Sequence, residues 1–556
     1  MWARVLLFAT LLRGVWTLPF SKLDLYEASI EELQLGLDNG YFTSVDLVRA
    51  YLARIDQVNH VGPKLNAVIE TNTHALKQAL ALDRERKLAG KRSPLHGIPI
   101  LVKDNIATLA GEGMNTTAGS YALLGSIVRD EATVTAKLRK AGAIILGKTN
   151  LSEWSQARGF VPNGWSGRGG QTTNPYYPGS NPCGSSSGSA VATAIGLAAA
   201  SLGTETDGSI ICPSSFNNLV GIKPTVGLTS RAGVIPIAMH QDTVGPIARS
   251  VADAAIILTM IAGQDPRDNF TSTAPFSVPD YTQFLDSQAI QGKRFGVPRR
   301  VFMNATLTRS HPSVQAEFEK ALERIRKLGG LVVDPADLPS ADEILHSQEY
   351  FTGRVQFKIG LNAYIKDLAY VPTNVSSMTD IIAFNDAHKA LEEPEGYEDQ
   401  STLIVAEGTM GYNSTYHEAL HRNHLLGRDR GIDAALKSHN LDALLLPSDG
   451  YTTIPAAIAG YPIVTVPLGF HPEDAKPLPE TQTTHETLYP APGMPFGLSF
   501  LSTAYTEHKL IGFAYAYEQY THTRFGRRAY KEAVPTVQLK DVAMIQDEVN
   551  SVIFQS

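Results

Sequence analysis

A chain of 556 residues, 43% hydrophobic and 19% charged, is long enough to bury a large core without disulfide staples or a structural metal. Its net charge of -7 leaves no electrostatic footprint for nucleic acid, and no segment carries the roughly 20 apolar residues of a membrane span. The two cysteines, Cys183 and Cys212, make no disulfide framework, and their redox state stays open.

In chain order, residues 1–17 read as a secretory leader: Arg4, the apolar run Val5 to Leu12, and Val15 and Thr17 at the -3 and -1 positions before Leu18-Pro19. Arg13 makes a short membrane anchor the alternative. Sequons at Asn115, Asn150, Asn269, Asn304, Asn374 and Asn413 are compatible with export to the extracellular space. Thr43 or Ser44 caps a helix whose Leu47, Val48, Tyr51, Leu52, Ile55 and Val58 share one face. The basic cluster Arg84, Arg86, Lys87, Lys91 and Arg92 reads as a solvated helix end. Val134 to Ala141 is helical in pattern, Gly142 stops it, and Ala143 to Leu146 is a strand; Val314 to Leu328, Gly329-Gly330 and Leu331 to Val333 repeat the form. That alternation predicts an α/β fold with a largely parallel, buried sheet. Residues 265–312 and 470–495 are irregular, as lids or decoration are.

The unusual chemistry lies between residues 97 and 250. Ile98 to Val102 is an apolar strand that ends on Lys103. Desolvation there would lower the lysine pKa and leave it neutral enough to act as a base; the plain alternative is an ammonium snorkelling to solvent. Cys183-Gly184-Ser185-Ser186-Ser187-Gly188-Ser189 precedes a small-residue helix expected from Ala190 to about Ser201. Gly203-Thr204-Glu205-Thr206-Asp207-Gly208-Ser209 then reads as a tight polar turn. Its successive N–H groups form a nest for an anionic oxygen, with a serine placed to attack the carbon bearing it. Taken singly, each serine segment reads equally well as an ordinary loop.

Together these segments resemble the amidase-signature family, whose hallmark is a lysine after a strand, a Gly-Ser-Ser loop and a later Gly-Ser nucleophile turn. Gly147 to Trp154, Ala457 to Leu468 and Gly497-Leu498-Ser499-Phe500 extend the likeness, which covers roughly residues 25–260 and 400–525. Pro182 to Ser189 and Gly203 to Ser209 look most like its peptide amidase branch. Many members carry arginine two places after the nucleophile; Ile211 stands there, a departure that bears on specificity rather than on catalysis. The resemblance implies one amidase domain over 18–556, with a large mixed twisted β-sheet covered by helices on both faces. It implies Lys103 as base, Ser185 as bridging serine in a cis peptide, and Ser209 as nucleophile. The oxyanion hole would be the backbone N–H groups of Thr206, Asp207, Gly208 and Ser209. Ser186, Asp242 and Thr243 would support the site, with His240 beside them, and 265–312, 340–400 and 470–495 would write specificity.

Two motifs compete. Gly184 to Gly188 satisfies G-x-S-x-G with Ser186 as attacker, but that elbow needs a buried strand before it, and Tyr177 to Pro182 is not one. His417-Glu418-Ala419-Leu420-His421 spells a zinc-helix motif without a third ligand in an established position; a surface helix is the expected reading. The expectation is therefore a secreted amide hydrolase without metal or organic cofactor, a monomer or homodimer without nucleic-acid partner or stable membrane insertion. Its leading substrates are C-terminal peptide amides or amino-acid amides. Small aryl or alkyl amides and biosynthetic intermediates come second, and a non-catalytic secreted binding protein on the same scaffold is the rival of another class. The family also includes the glutaminase subunit of a tRNA amidotransferase, a role that the leader and the lack of basic surface argue against.

Overall fold

Two reciprocally capped helices open the fold. Ser29 and Glu32 form a capping box at Ile30–Asp38, and Thr43 and Asp46 form one at Ser44–Val58, where Leu47, Val48, Tyr51, Ile55 and Val58 are buried; each box satisfies two of the N–H groups that a helix start leaves open. The structure, a computed structural model, describes residues 23–275, 277–479 and 487–542. The expected leader lies outside them. Of the basic cluster, Arg86 is not solvated: it donates to Gln34 Oε1 and the His96 carbonyl and pairs with Asp38.

Among the described residues thirteen strands follow: β1 (Val68–Thr71), β2 (Pro99–Lys103), β3 (Ile144–Thr149), β4 (Trp165–Ser166), β5 (Gly170–Gln171), β6 (Ala200–Glu205), β7 (Val220–Lys223), β8 (Thr243–Ala248), β9 (Arg294–Gly296), β10 (Leu331–Val333), β11 (Ala443–Pro447), β12 (Ile463–Phe470) and β13 (Pro495–Leu501). β4 and β5 pair with each other; the other eleven form one sheet in the order β1-β3-β2-β6-β8-β7-β12-β13-β11-β9-β10. The sheet is mixed, as the family resemblance implies, and not largely parallel. Only β2–β3, β2–β6, β9–β10 and β9–β11 run parallel. The two helix–Gly–strand units visible in the sequence end in β3 and β10, both in the parallel patches. Between the patches, β7 returns to β8 and β12 to β13 without a helical crossover, and such neighbours pair antiparallel.

Both faces of the sheet bury apolar surface. Along β11, Ala443 and Leu445 join one core cluster while Leu444 and Leu446 join another, the period-two alternation of a strand covered on both sides. The first cluster takes in Ile257 and Leu258 of the helix Val251–Ile261 and Phe318 and Leu322 of Pro312–Lys327; the second takes in Leu426 of Ser414–Gly427 and Ile458 of Ile454–Ala459.

One element differs from its expectation. The small-residue helix spans Ser187–Ala194, not Ala190 to Ser201, and the chain then enters β6 at Ala200. Gly196 breaks it, with φ +67° and so close an approach to the next layer that a Cβ would lie 2.2 Å from the Leu25 carbonyl oxygen. Tertiary contact overrides the helix propensity of the alanine run. The polar turn after it is correspondingly shorter, because Gly203, Thr204 and Glu205 belong to β6.

Candidate active site

β2 and β6 are parallel neighbours, with Ile100 opposite Ala200 and Val102 opposite Leu202, so their carboxyl ends emerge at the same edge. In open α/β sheets this is the edge where ligands bind. β8 runs antiparallel to β6 with Thr243 opposite Glu205, which brings its first residues to the same place.

Lys103, the last residue of β2, is fully buried. Its Nζ lies 2.6 Å from Ser185 Oγ and donates to Thr204 Oγ1 at 2.8 Å and to the Thr204 carbonyl at 3.3 Å. Asn105 Nδ2 also donates to Thr204 Oγ1, at 3.0 Å. Burial pulls the lysine pKa down from 10.5 to about 7, against the opposing pull of the Glu205 and Asp242 carboxylates. The snorkelling alternative is excluded. A neutral amine that spends its two hydrogens on Thr204 directs its lone pair at the Ser185 hydroxyl.

The serine loop is held on several sides. The Gly184–Ser185 peptide is cis, and the Ser185 carbonyl accepts from Ser152 N–H at 3.0 Å. Gly188 passes so close to its neighbours that a Cβ would lie 2.2 Å from the Ala67 carbonyl oxygen. Ser186 Oγ donates to the Thr204 carbonyl at 3.1 Å and accepts from Thr204 N–H at 3.3 Å. Buried and committed to the end of β6, Ser186 is a support and not an attacker. Its own N–H donates to the Ser209 carbonyl at 3.2 Å, which joins the serine loop to the nucleophile turn. A Cys183–Cys212 disulfide joins them a second time, with Cα atoms 5.8 Å apart. Among the described residues no hydrogen bond links the hydroxyls of Ser185 and Ser209; catalytic contacts of this kind often tighten only when substrate is present.

The turn is shaped by Glu205, a residue that the sequence patterns did not single out. Its buried carboxyl accepts from Gly208 N–H at 2.9 Å and from the N–H groups of Ile210 and Ile211 at 2.7 and 2.9 Å. The signal available in the sequence was an acid three residues before a Gly-Ser turn that opens a helix. Gly208 takes φ +78° to make the turn, and because its N–H is already given to Glu205 it leaves the expected oxyanion set. Thr206, Asp207 and Ser209 remain. Asp242 accepts from Thr206 Oγ1 at 2.7 Å and from the Ile237 and Ala238 N–H groups, and Thr243 Oγ1 donates to the Glu205 carbonyl at 3.2 Å, so both brace the turn. His240 braces a neighbouring helix instead, through Gln356 Oε1 at 3.1 Å from its Nδ1.

Ser209, 8% exposed, opens on a cavity of about 580 Å³. It is lined by Ser155, Gln156, Ala157, Gly159 and Phe160 and by the helix Glu349–Asp367, through Glu349, Tyr350, Gly353, Arg354 and Phe357. Burial, with the neighbouring Asp207 charge, pushes the Glu349 carboxyl well above its usual range; burial raises Asp207 to about 6. Of the three segments expected to write specificity, only 340–400 lines this cavity. Segment 265–312 reaches a smaller one through Arg267 and Asp268, and 470–495 reaches another through Tyr489. The wall at 155–160 was not expected. His417 and His421 are exposed on the helix Ser414–Gly427, and no cluster of three metal-ligating side chains forms among the described residues.

A protein-family profile described as Amidase matches residues 46–511. A putative amidase of Arthroderma benhamiae is 41% identical over 532 residues, covering 90% of this chain and 86% of the relative. A probable amidase of Arabidopsis thaliana is 41% identical over 512 residues, covering 91% and 92%. The solved peptide amidase of Stenotrophomonas maltophilia superposes with a TM-score of 0.81 at 43% identity, covering 94% of this chain and all of that one.

Proposed function

Because the chain belongs to the amidase-signature family, hydrolases of carbon–nitrogen bonds in linear amides, we propose that it removes the terminal carboxamide of peptides or amino-acid derivatives through Ser209, Ser185 and Lys103. The observation that carries this reading is the buried Lys103 amine, brought to about 7 and set 2.6 Å from Ser185 Oγ beside the Ser209 turn. The cavity in front of Ser209 is large enough for several heavy groups, with the exposed aromatic rings of Phe160 and Tyr350 at its rim, and the similar solved structure is a peptide amidase.

In the first half of the reaction, Ser209 Oγ attacks the amide carbon while its proton passes to Ser185 Oγ and the Ser185 proton passes to Lys103 Nζ. The carbonyl oxygen, now an anion, is met by the backbone N–H groups of Thr206, Asp207 and Ser209. The carbon–nitrogen bond then breaks, and Lys103 returns a proton through Ser185 to the leaving nitrogen, which departs as ammonia. Water attacks the Ser209 ester by the same relay and releases the carboxylic acid. The test is ammonia release from a peptide amide by Ser209→Ala, Ser185→Ala and Lys103→Ala. All three should lose several orders of magnitude in kcat while keeping the wild-type melting temperature within a few degrees; full activity in Lys103→Ala ends the relay reading.

We also propose export. The leader at 1–17 carries the reading, and the Cys183–Cys212 pairing and the exposed sequon residues Asn269, Asn304, Asn374 and Asn413 support it. Asn150 is buried and fully engaged, so that sequon is no glycan site. N-terminal sequencing of protein recovered from culture medium, starting at or near Leu18, is the check.

A further inference from the structure

Arg354 has no ion-pair partner among the described residues. It sits on the wall helix facing the same cavity as Ser209, its Nε is buried and has no hydrogen-bond partner, and among the described residues no carboxylate pairs with its guanidinium. Three other arginines show the contrast: Arg158 is locked to Glu153, Arg231 to Asp268 and Arg168 to Glu70. The nearest acid on its own helix forms no ion pair with it: burial, with the Asp207 charge, disfavours the ionised form of the Glu349 carboxyl, which accepts instead from Gln241 Nε2 at 2.7 Å. Next to Arg354 the wall is open, since Gly353 presents no side chain and a Cβ there would meet only Ala238 at 4.0 Å. A half-desolvated guanidinium is unfavourable unless an anion completes it, and it pairs with carboxylates through its planar fork of donors.

We propose that Arg354 selects amides whose acyl half carries a carboxylate, the simplest class being terminal amides of peptides that end in glutamate or aspartate. With the scissile carbonyl at Ser209 and the ammonia leaving, everything that remains in the cavity belongs to the acyl half, and the wall that carries Arg354 faces it. This assignment rests on the function proposed above and narrows it.

The experiment compares N-acetyl-glutamyl amide with its near-isostere N-acetyl-methionyl amide. Two readouts run in parallel: kcat/KM for ammonia release by the wild type, Arg354→Gln and Arg354→Lys, and calorimetric binding to each of these on a Ser209→Ala background. A charge-assisted pair of this kind is expected to favour the glutamyl amide by about tenfold to a hundredfold, the ratio falling to near one in Arg354→Gln and partly surviving in Arg354→Lys, with melting temperatures close to wild type. No preference in the wild type, or a preference that survives intact in Arg354→Gln, overturns the assignment of Arg354 while turnover of both amides leaves the peptide-amide reading standing. Preferential binding that depends on Arg354 without turnover of either amide sustains the assignment and removes the peptide-amide reading instead.

Discussion

The lysine at the end of β2 makes the sharpest demand on experiment. Perturbing its protonation needs only a change of pH. With burial placing Lys103 at about 7, about half the molecules hold the neutral amine at pH 7, whereas a solvent-exposed lysine near 10.4 would be neutral in roughly one molecule in several thousand. Desolvation therefore raises the supply of competent base by about a thousandfold. Below the midpoint, kcat/KM should fall about tenfold for each further pH unit, and above it the rate should level off. The assay is ammonia release from an uncharged peptide amide between pH 5 and 9.5, fitted for the acid limb. Asp207, at about 6, lies in the same cavity, so the profile of Asp207→Asn is measured alongside and should keep the limb near 7. A flat profile across pH 5 to 8, or a limb near 10, would mean that the amine is not the base in this environment.

The same burial has a stability signature. Between the folded value near 7 and the unfolded value near 10.4 the unfolded chain binds a proton that the native state lacks, so stability should rise with pH through that window; Lys148 and Lys223, each lowered by burial to about 8, act in the same direction, and denaturant titrations at pH 7 and 9.5 measure the sum. Glu349 has the opposite sign: raised above its unfolded value, it contributes most below about pH 4.5 and loses that contribution as pH rises. Glu349→Gln should therefore gain thermal stability over wild type at pH 8 and lose the advantage at pH 4.5. Glu205→Ala leaves three buried N–H groups without an acceptor and should cost at least about 3 kcal/mol, seen as a lower denaturation midpoint together with a collapse in kcat. Breaking the 29-residue span between Cys183 and Cys212 with Cys183→Ser should cost about 3–4 kcal/mol by loop-closure entropy, and reductant should reproduce the loss in wild type but not in the variant.

The candidate site was legible because it is written in short contiguous stretches. Lys103 after an apolar run, and the two Gly-Ser turns, are local patterns; parallel pairing of β2 with β6 brings Lys103 beside the nucleophile turn, and the Ser186 contacts and the disulfide bring the serine loop to it. What escaped the sequence was decided by long-range contact. Gly196 ends a helix that its alanines favour because Leu25, far away in sequence, crosses there. The Gly208 N–H is spent on Glu205, a choice made by a buried carboxyl and not visible in a Gly-Ser turn as such. The antiparallel middle of the sheet has no helix–Gly–strand unit to announce it. The wall at 155–160 and the unpaired state of Arg354 depend on which segments end up lining the same cavity, and spacing along the chain does not carry that.

The candidate catalytic groups Lys103, Ser185 and Ser209 all lie between β2 and β8, ahead of residue 250, whereas the helix Glu349–Asp367 that lines their cavity arrives later, between β10 and β11. On the proposed reading, part of the selectivity is thus written in a later stretch of the chain than the reactivity, and the two meet at a cavity that Ser155 to Phe160 also help to line. A lineage, or an engineer, can rewrite the later part alone and retune which molecules are accepted while the proton-transfer apparatus stays untouched.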